Sequence, residues 1–319
     1  MNRQPIIFMY SGQGSHYYHM GKELFEKNRL FREGMLSADR VYQRLAKESL
    51  LDYLYSDKTS KGMPFTQTTY SHPAIFLLEC GLTHLLRELD IVPDMVLGTS
   101  LGEFAAAVTA GCLDFETALN MVLNQASVLE HCDSGNMIAI LADHSLYHTQ
   151  PYLYNQSELA SVNFSSHFVI SCSSQNLSSI EAELKSRQLI YQVLPIAQAF
   201  HSSYIDKAEI QFKERIQHIH LAQPKIPLLS CVYGKEVATL QPEHFWLAAR
   251  EMIRFQETIN YLENKLTAPV YVDVGPSGTL ATFVKYNRSP LSKSKSVELL
   301  TPYGRDCETL GKALKELKV

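Results

Sequence analysis

Met95-Val96-Leu97 runs without a break into Gly98-Thr99-Ser100-Leu101-Gly102, and Phe104-Ala105-Ala106-Ala107-Val108-Thr109-Ala110 follows before Gly111. The short apolar run reads as a buried strand, and the alanine-rich stretch as a helix closed by a glycine. The five residues between them have the G-x-S-x-G spacing of a sharp strand-to-helix turn. Such a turn strains the backbone of its central residue, and the residues two before and two after crowd each other; glycine has no Cβ to clash there. The Ser100 hydroxyl then stands at a helix N-terminus, where free N–H groups and the helix dipole favour negative charge. Taken alone, the pattern also fits a plain Gly-Ser turn. The strand before it and the helix after it favour Ser100 as a nucleophile.

The rest of the chain repeats that rhythm. Ile6-Ile7-Phe8-Met9-Tyr10 reads as a strand that stops at Ser11-Gly12-Gln13-Gly14-Ser15, with a helical stretch from Met20 to Phe31 behind it. The Gly12-Gln13-Gly14 loop is either a tight turn or a loop that brings backbone N–H groups close to a ligand or an oxyanion; it lacks the Lys-Ser/Thr ending of a P-loop. Residues 32–66 read as helical and polar, with a loop near Ser56–Pro64. Pro73 opens a core helix in its first turn, running through Leu86 beside the elbow. Phe115–Leu129 is a further helix, containing Gln125.

At Ser134-Gly135-Asn136 the character changes. Strands are expected at Met137–Leu141, Ala160–Asn163, Phe168–Ser171 and Ile190–Leu194, with helices near Ser145–Leu153 and Ser178–Leu184. That order resembles a ferredoxin-like unit. Residues 136–199 therefore read as a small subdomain inserted into a large one formed by 1–135 and 200–319. In the large part, a helix from Ile205 to His218, a strand at Ile226–Val232, a helix from Phe245 to Leu262, a strand at Pro269–Pro276, a helix from Thr279, a strand at Val297–Leu300 and a C-terminal helix are expected. Strands alternating with helices predict a parallel sheet covered on both faces.

The 319 residues are ample for such a core. A net charge of −4 argues against a nucleic-acid footprint. No apolar run approaches the ~20 residues of a membrane span, and the N-terminus is too short in apolar length for a signal peptide, so a cytoplasmic monomer is expected. The six cysteines show no C-x-x-C and no metal-like spacing with histidine, and read as reduced, mostly buried residues; no metal is expected. Of the twelve histidines, eleven sit in stretches that suggest surface or capping roles. His201 stands where the chain re-enters the large part, after Ala199-Phe200, at a junction suited to a site between two units.

Four segments together, Ser11-Gly12-Gln13-Gly14-Ser15, Gly98-Thr99-Ser100-Leu101-Gly102-Glu103, Ala199-Phe200-His201-Ser202 and Asp273-Val274-Gly275-Pro276, resemble the malonyl-CoA:acyl-carrier-protein transacylase family. They fall in order over nearly the whole chain, and they are similar to the free-standing members of trans-acyltransferase polyketide synthases. The resemblance implies an α/β-hydrolase-like large domain with a ferredoxin-like insertion. It implies Ser100 as nucleophile, His201 as general base, and the backbone N–H groups of Gln13 and Leu101 as the oxyanion hole. It implies that a backbone carbonyl in the segment Met252-Ile253-Arg254-Phe255 orients the histidine. The acyl group would arrive on the phosphopantetheine of a carrier protein or on CoA, with no cofactor resident in the enzyme.

Two departures from that family bear on substrate. Thr99 stands where the elbow usually carries histidine, beside the nucleophile. The arginine that grips a malonyl carboxylate in malonyl-specific members falls at Gln125, when Met121-Val122 and Gly135-Asn136-Met137 are lined up. A buried carboxylate without a cation costs several kcal/mol, and a neutral amide cannot replace a guanidinium's two charge-assisted bonds. Gln125, Phe200 and Thr99 are thus expected as substrate-binding residues, with Phe200 keeping the pocket narrow around a short neutral acyl group such as acetyl. Family members with this replacement resemble hydrolases that clear acyl groups from carrier-protein thioesters. Three functions are expected to compete: a proofreading acyl hydrolase, an acyltransferase that loads a carrier protein, and a catalytically idle docking partner.

Overall fold

The structure is a computed structural model and describes residues 3–317. Strand β1 (Ile6–Tyr10) lies at the centre of a six-stranded sheet, between β2 (Met95–Gly98) and β9 (Val270–Asp273). Outside these lie β10 (Lys295–Glu298), next to β9, and β7 (Leu228–Ser230), next to β2. These five strands run parallel, and a short antiparallel strand, β8 (Lys235–Val237), closes the edge beyond β7. Every residue of β1, β2 and β9 is buried, as strands covered on both faces require. Alternation along β1 divides its side chains between two cores. Ile6, Phe8 and Tyr10 join the larger one, with the helices Thr68–Glu88 and Gly102–Ala110, while Ile7 and Met9 pack with Phe255, Ile259 and Leu280.

A second sheet holds β3 (Gly135–Leu141), β4 (Glu158–Phe164), β5 (His167–Ser173) and β6 (Ile190–Val193), all antiparallel, in the order β4-β5-β3-β6. Two short helices, Ser145–Thr149 and Pro151–Tyr154, join β3 to β4, and Leu177–Ser186 joins β5 to β6, which is the ferredoxin-like arrangement. The period of two again assigns the faces. Ile138, Ile140, Phe168 and Ile170 bury against those helices, while Met137, Ala139 and Val169 turn the other way, toward the large sheet.

Several expected boundaries differ. The helix carrying Pro73 begins at Thr68, so the proline lies inside it, past the first turn. The helical stretch from Met20 breaks at Asn28, whose side-chain oxygen accepts from the Phe31 N–H and caps a new helix, Arg29–Ala46. The helix after His201 opens as a 3₁₀ segment, Ser203–Ala208, before Glu209–Ile216. The last strand lies two residues earlier than expected, and β8 was not expected at all.

The largest difference is at Phe245–Leu262. Two helices stand there, His244–Arg250 and Phe255–Lys265. Between them the chain extends and Ile253 bridges Ser161 of β4, donating to the Ala160 carbonyl (2.9 Å) and accepting from the Val162 N–H (3.1 Å). That bridge ties β4 to the segment between the two helices, and the next residue, Arg254, donates to the Cys231 carbonyl just past β7 (2.8 Å). Among the described residues, no helix is long and apolar enough to cross a membrane.

Candidate active site

Ser100 sits at the end of β2 with φ +55°, the left-handed conformation in which a non-glycine residue is strained. The glycines around it answer to different neighbours than expected. A Cβ at Gly98 would stand 2.6 Å from Glu103 Cα, and one at Gly102 would overlap the Tyr10 carbonyl, so the two flanking glycines do not crowd each other. A Cβ at Gly12 would lie 2.6 Å from Ser100 Cβ. Glycine at that position lets the Ser11–Ser15 loop close on the nucleophile.

Ser100 Oγ lies 2.9 Å from His201 Nε2, and His201 Nδ1 lies 2.8 Å from the Glu251 carbonyl oxygen. A carbonyl only accepts, so Nδ1 carries the proton and Nε2 offers its lone pair to the Ser100 hydroxyl. That is the geometry of a serine and its general base. The orienting carbonyl belongs to Glu251, one residue before the expected 252–255 segment. It is available because the chain turns extended there instead of continuing as helix. The His201 N–H donates to the Ala249 carbonyl (2.8 Å), holding the residue at φ +58°.

Burial lowers the His201 pKa from 6.5 to about 4, against the opposing pull of the Glu251 carbonyl. The imidazole is neutral, and competent as a base, across the physiological range. Protonation removes the Nε2 lone pair, so the Ser100 hydroxyl loses its acceptor as pH falls through the folded value. Labelling of Ser100 by a fluorophosphonate is expected to fall off near pH 4; a midpoint at 6 or above would contradict a buried base.

The Gln13 and Leu101 N–H groups donate to no acceptor among the described residues, and Leu101 caps the start of the elbow helix Gly102–Ala110. Glu79, expected only as part of a core helix, fixes the loop that carries Gln13. Its Oε1 accepts from the Ser11 N–H (2.6 Å) and hydroxyl (3.0 Å). Burial pushes the Glu79 carboxyl well above its usual range. A carboxylate inside the apolar run Phe76-Leu77-Leu78-Glu79-Cys80-Gly81-Leu82 was the available signal, since acidic residues are seldom buried without a partner. Asp273 supports the next turn by accepting from the Gly275 and Ala281 N–H groups (both 2.9 Å), and burial raises its pKa to about 6.

A cavity of about 360 Å³ opens from Ser100 between the two sheets. Its wall includes Gln13, Thr99, Phe200 and His201 on one side, and Met137, Ala139, Val169 and Asn163 from the small sheet on the other. Ile253, Phe255, Leu280 and Phe283 also line it, with polar Ser161, Gln192 and Thr279, and among the described residues no lysine, arginine, aspartate or glutamate belongs to it. Its second histidine, His167, is held below its ordinary pKa by burial. The Thr99 side chain is buried, and Phe200 packs against His72 with ring centroids 5.7 Å apart.

Gln125, expected to touch substrate, does not belong to this wall. It is buried in the helix Phe115–Leu129, and its Nε2 donates to the Phe245 carbonyl (2.9 Å), the acceptor its amide reaches inside the protein. His16, His72 and His244, expected in surface or capping roles, are buried. The six cysteines are free thiols, and no group of three or more metal-binding side chains occurs among the described residues.

Residues 7–318 match the family model described as "Acyl transferase domain". The polyketide biosynthesis acyltransferase homolog PksD of Bacillus subtilis (strain 168) is 41% identical over 308 residues, covering 96% of this chain and 95% of that protein. The homolog BaeD of Bacillus velezensis is 41% identical over 304 residues, covering 95% and 94%. Among solved structures, FabD from Acinetobacter baumannii shares the fold with a TM-score of 0.83 at 22% identity, covering 99% of each chain.

Proposed function

The chain belongs to the acyl transferase domain family, and from that premise we propose that it is a proofreading acyl hydrolase of polyketide biosynthesis, clearing short neutral acyl groups from carrier-protein thioesters. The reaction runs in two halves. Ser100 Oγ attacks the thioester carbonyl while His201 Nε2 takes its proton; the oxyanion accepts from the Gln13 and Leu101 N–H groups. Collapse of the tetrahedral intermediate breaks the C–S bond, and His201 returns the proton to the pantetheine sulfur. Water then attacks the acyl-Ser100 ester with His201 again as base, and collapse releases the free acid and restores the serine. Each oxyanion donor contributes roughly 3–4 kcal/mol to lowering the barrier.

The observation that carries this reading is the uncharged wall of the cavity. A malonyl carboxylate enclosed there would lose its hydration with no cation to meet it, a cost of several kcal/mol. An acetyl or similar group carries no such penalty. The relatives PksD and BaeD, each named as a polyketide biosynthesis acyltransferase homolog, support the pathway and a carrier protein as partner.

The test is mass spectrometry of a carrier protein loaded with acetyl or malonyl and mixed with the enzyme. Acetyl is expected to leave as free acid, at least ~100-fold faster than malonyl, the ratio that about 2.7 kcal/mol of uncompensated desolvation gives. Malonyl accumulating on Ser100 and passing to a second carrier thiol would make the protein a loading acyltransferase instead.

A further inference from the structure

The helix His244–Arg250 stands between the nucleophile's helix and the base, and is bonded to both. At its start, His244 Nε2 lies 3.1 Å from Oε2 of Glu103, the residue after Gly102 on the elbow helix. Glu103 Oε1 in turn accepts from the Ser230 hydroxyl (2.6 Å) and the Cys231 N–H (3.1 Å), so the carboxylate is fixed from two sides. The Phe245 ring stacks on Phe104 of the elbow helix, centroids 4.5 Å apart, and the Phe245 carbonyl takes the Gln125 amide. At its end, the Ala249 and Glu251 carbonyls hold the main chain and the ring of His201, each at 2.8 Å. Arg250 pairs with Asp206 of the 3₁₀ segment behind His201 (2.5 Å).

We propose that this helix is the strut that sets His201 against Ser100, and that Gln125 is a positioning residue acting through it, not a contact to substrate. The proposal rests on the Ser100–His201 chemistry proposed above. Seven helical residues span about 10 Å with little compliance, so a shift at the Phe245 carbonyl is carried to the Glu251 carbonyl. Gln125 is 3% exposed and lies outside the cavity wall, and its amide's hydrogen bond to that carbonyl gives it a route to the chemistry. A base displaced by about 1 Å can lose 10²-fold in rate, and removing one of several anchors should cost part of that.

The variant to measure is Gln125→Met, similar in size and without a donor, on acetyl-, butyryl- and hexanoyl-carrier thioesters. The strut predicts a kcat about tenfold lower by the same factor for all three, with KM unchanged. His244→Phe, at the other contact of the same helix end, should act in the same direction. The double variant should fall by less than the product of the two, because both act through one element. A changed KM or a changed preference among the three acyl groups would make Gln125 a substrate contact and overturn the proposal, as would an unchanged kcat. Should the methionine variant not fold, Gln125→Leu is read by the same criteria. If the wild type turns over none of the three thioesters, the functional reading fails and the strut is judged separately, by Ser100 labelling with a fluorophosphonate. There, Gln125→Met is expected to react about tenfold more slowly, and an equal rate overturns it.

Discussion

Ser100→Ala is expected to lower thioester turnover by roughly 10⁴- to 10⁶-fold, the scale on which hydrolytic serine sites fail when the nucleophile is removed. The loss should be chemical and not structural. Alanine meets the same left-handed strain at φ +55° that serine already bears, and among the described residues the hydroxyl hydrogen-bonds to His201 alone. The thermal midpoint should therefore stay near that of the wild type while the acyl adduct disappears from the intact-protein mass spectrum. His201→Ala should cost a similar amount, and the two together little more than either alone, because they act as one unit. Residual turnover in Ser100→Ala within tenfold of the wild type would mean that the reaction does not pass through an acyl-serine.

The second large effect is on folding. Gly102→Ala places a methyl group against the Tyr10 carbonyl, with the Ser11 carbonyl also close. These obstacles are backbone at the end of β1, so no side chain can swing aside. The elbow helix and the central strand must separate, and they carry the nucleophile and the Gln13 loop between them. A cost of about 3–5 kcal/mol is expected, comparable with much of a domain's net stability, and a thermal midpoint lower by about 4–8 °C. Gly311→Ala provides the contrast. It lies in the helix Asp306–Leu317 with nothing within 4 Å of the added methyl, so it should gain a few tenths to 1 kcal/mol from helix propensity. If Gly102→Ala unfolds at the same temperature as the wild type, the close packing of elbow and strand is not rigid.

Strand β1, strand β2 and the glycine-flanked serine were readable because their signals are local: continuous apolar runs for strands buried on both faces, and a G-x-S-x-G spacing between a strand and a helix. The order of strands and helices in the small sheet was readable for the same cause. His201 stood out only by its junction and by resemblance. What was hidden depends on distant partners. Glu251-Met252-Ile253-Arg254 contains no glycine or proline to announce a break, and it extends because β4 offers Ile253 a bridge. Resemblance therefore puts the orienting carbonyl one residue too late, at 252–255 instead of Glu251, and the break that exposes it carries no local signal. Gln125 shows the opposite limit. Its position in the chain was placed by likeness to an arginine, but the side chain follows the nearest buried acceptor, which no spacing reveals.

The central place of β1 has a consequence for how the molecule comes into being. Phe8 pairs with Val96 on one side and with Val272 on the other, so the middle of the large sheet is closed by a segment synthesised long after β1 and β2. Pairings this distant form slowly, because the intervening chain must be brought together first. A ribosome-bound chain that has just released the Ser100 segment has no His201, no Glu251 carbonyl and one open flank on β1. During synthesis Ser100 thus emerges about 100 residues before His201 and about 150 before Glu251, and the hydrogen-bonded array around its hydroxyl can form only after both have followed.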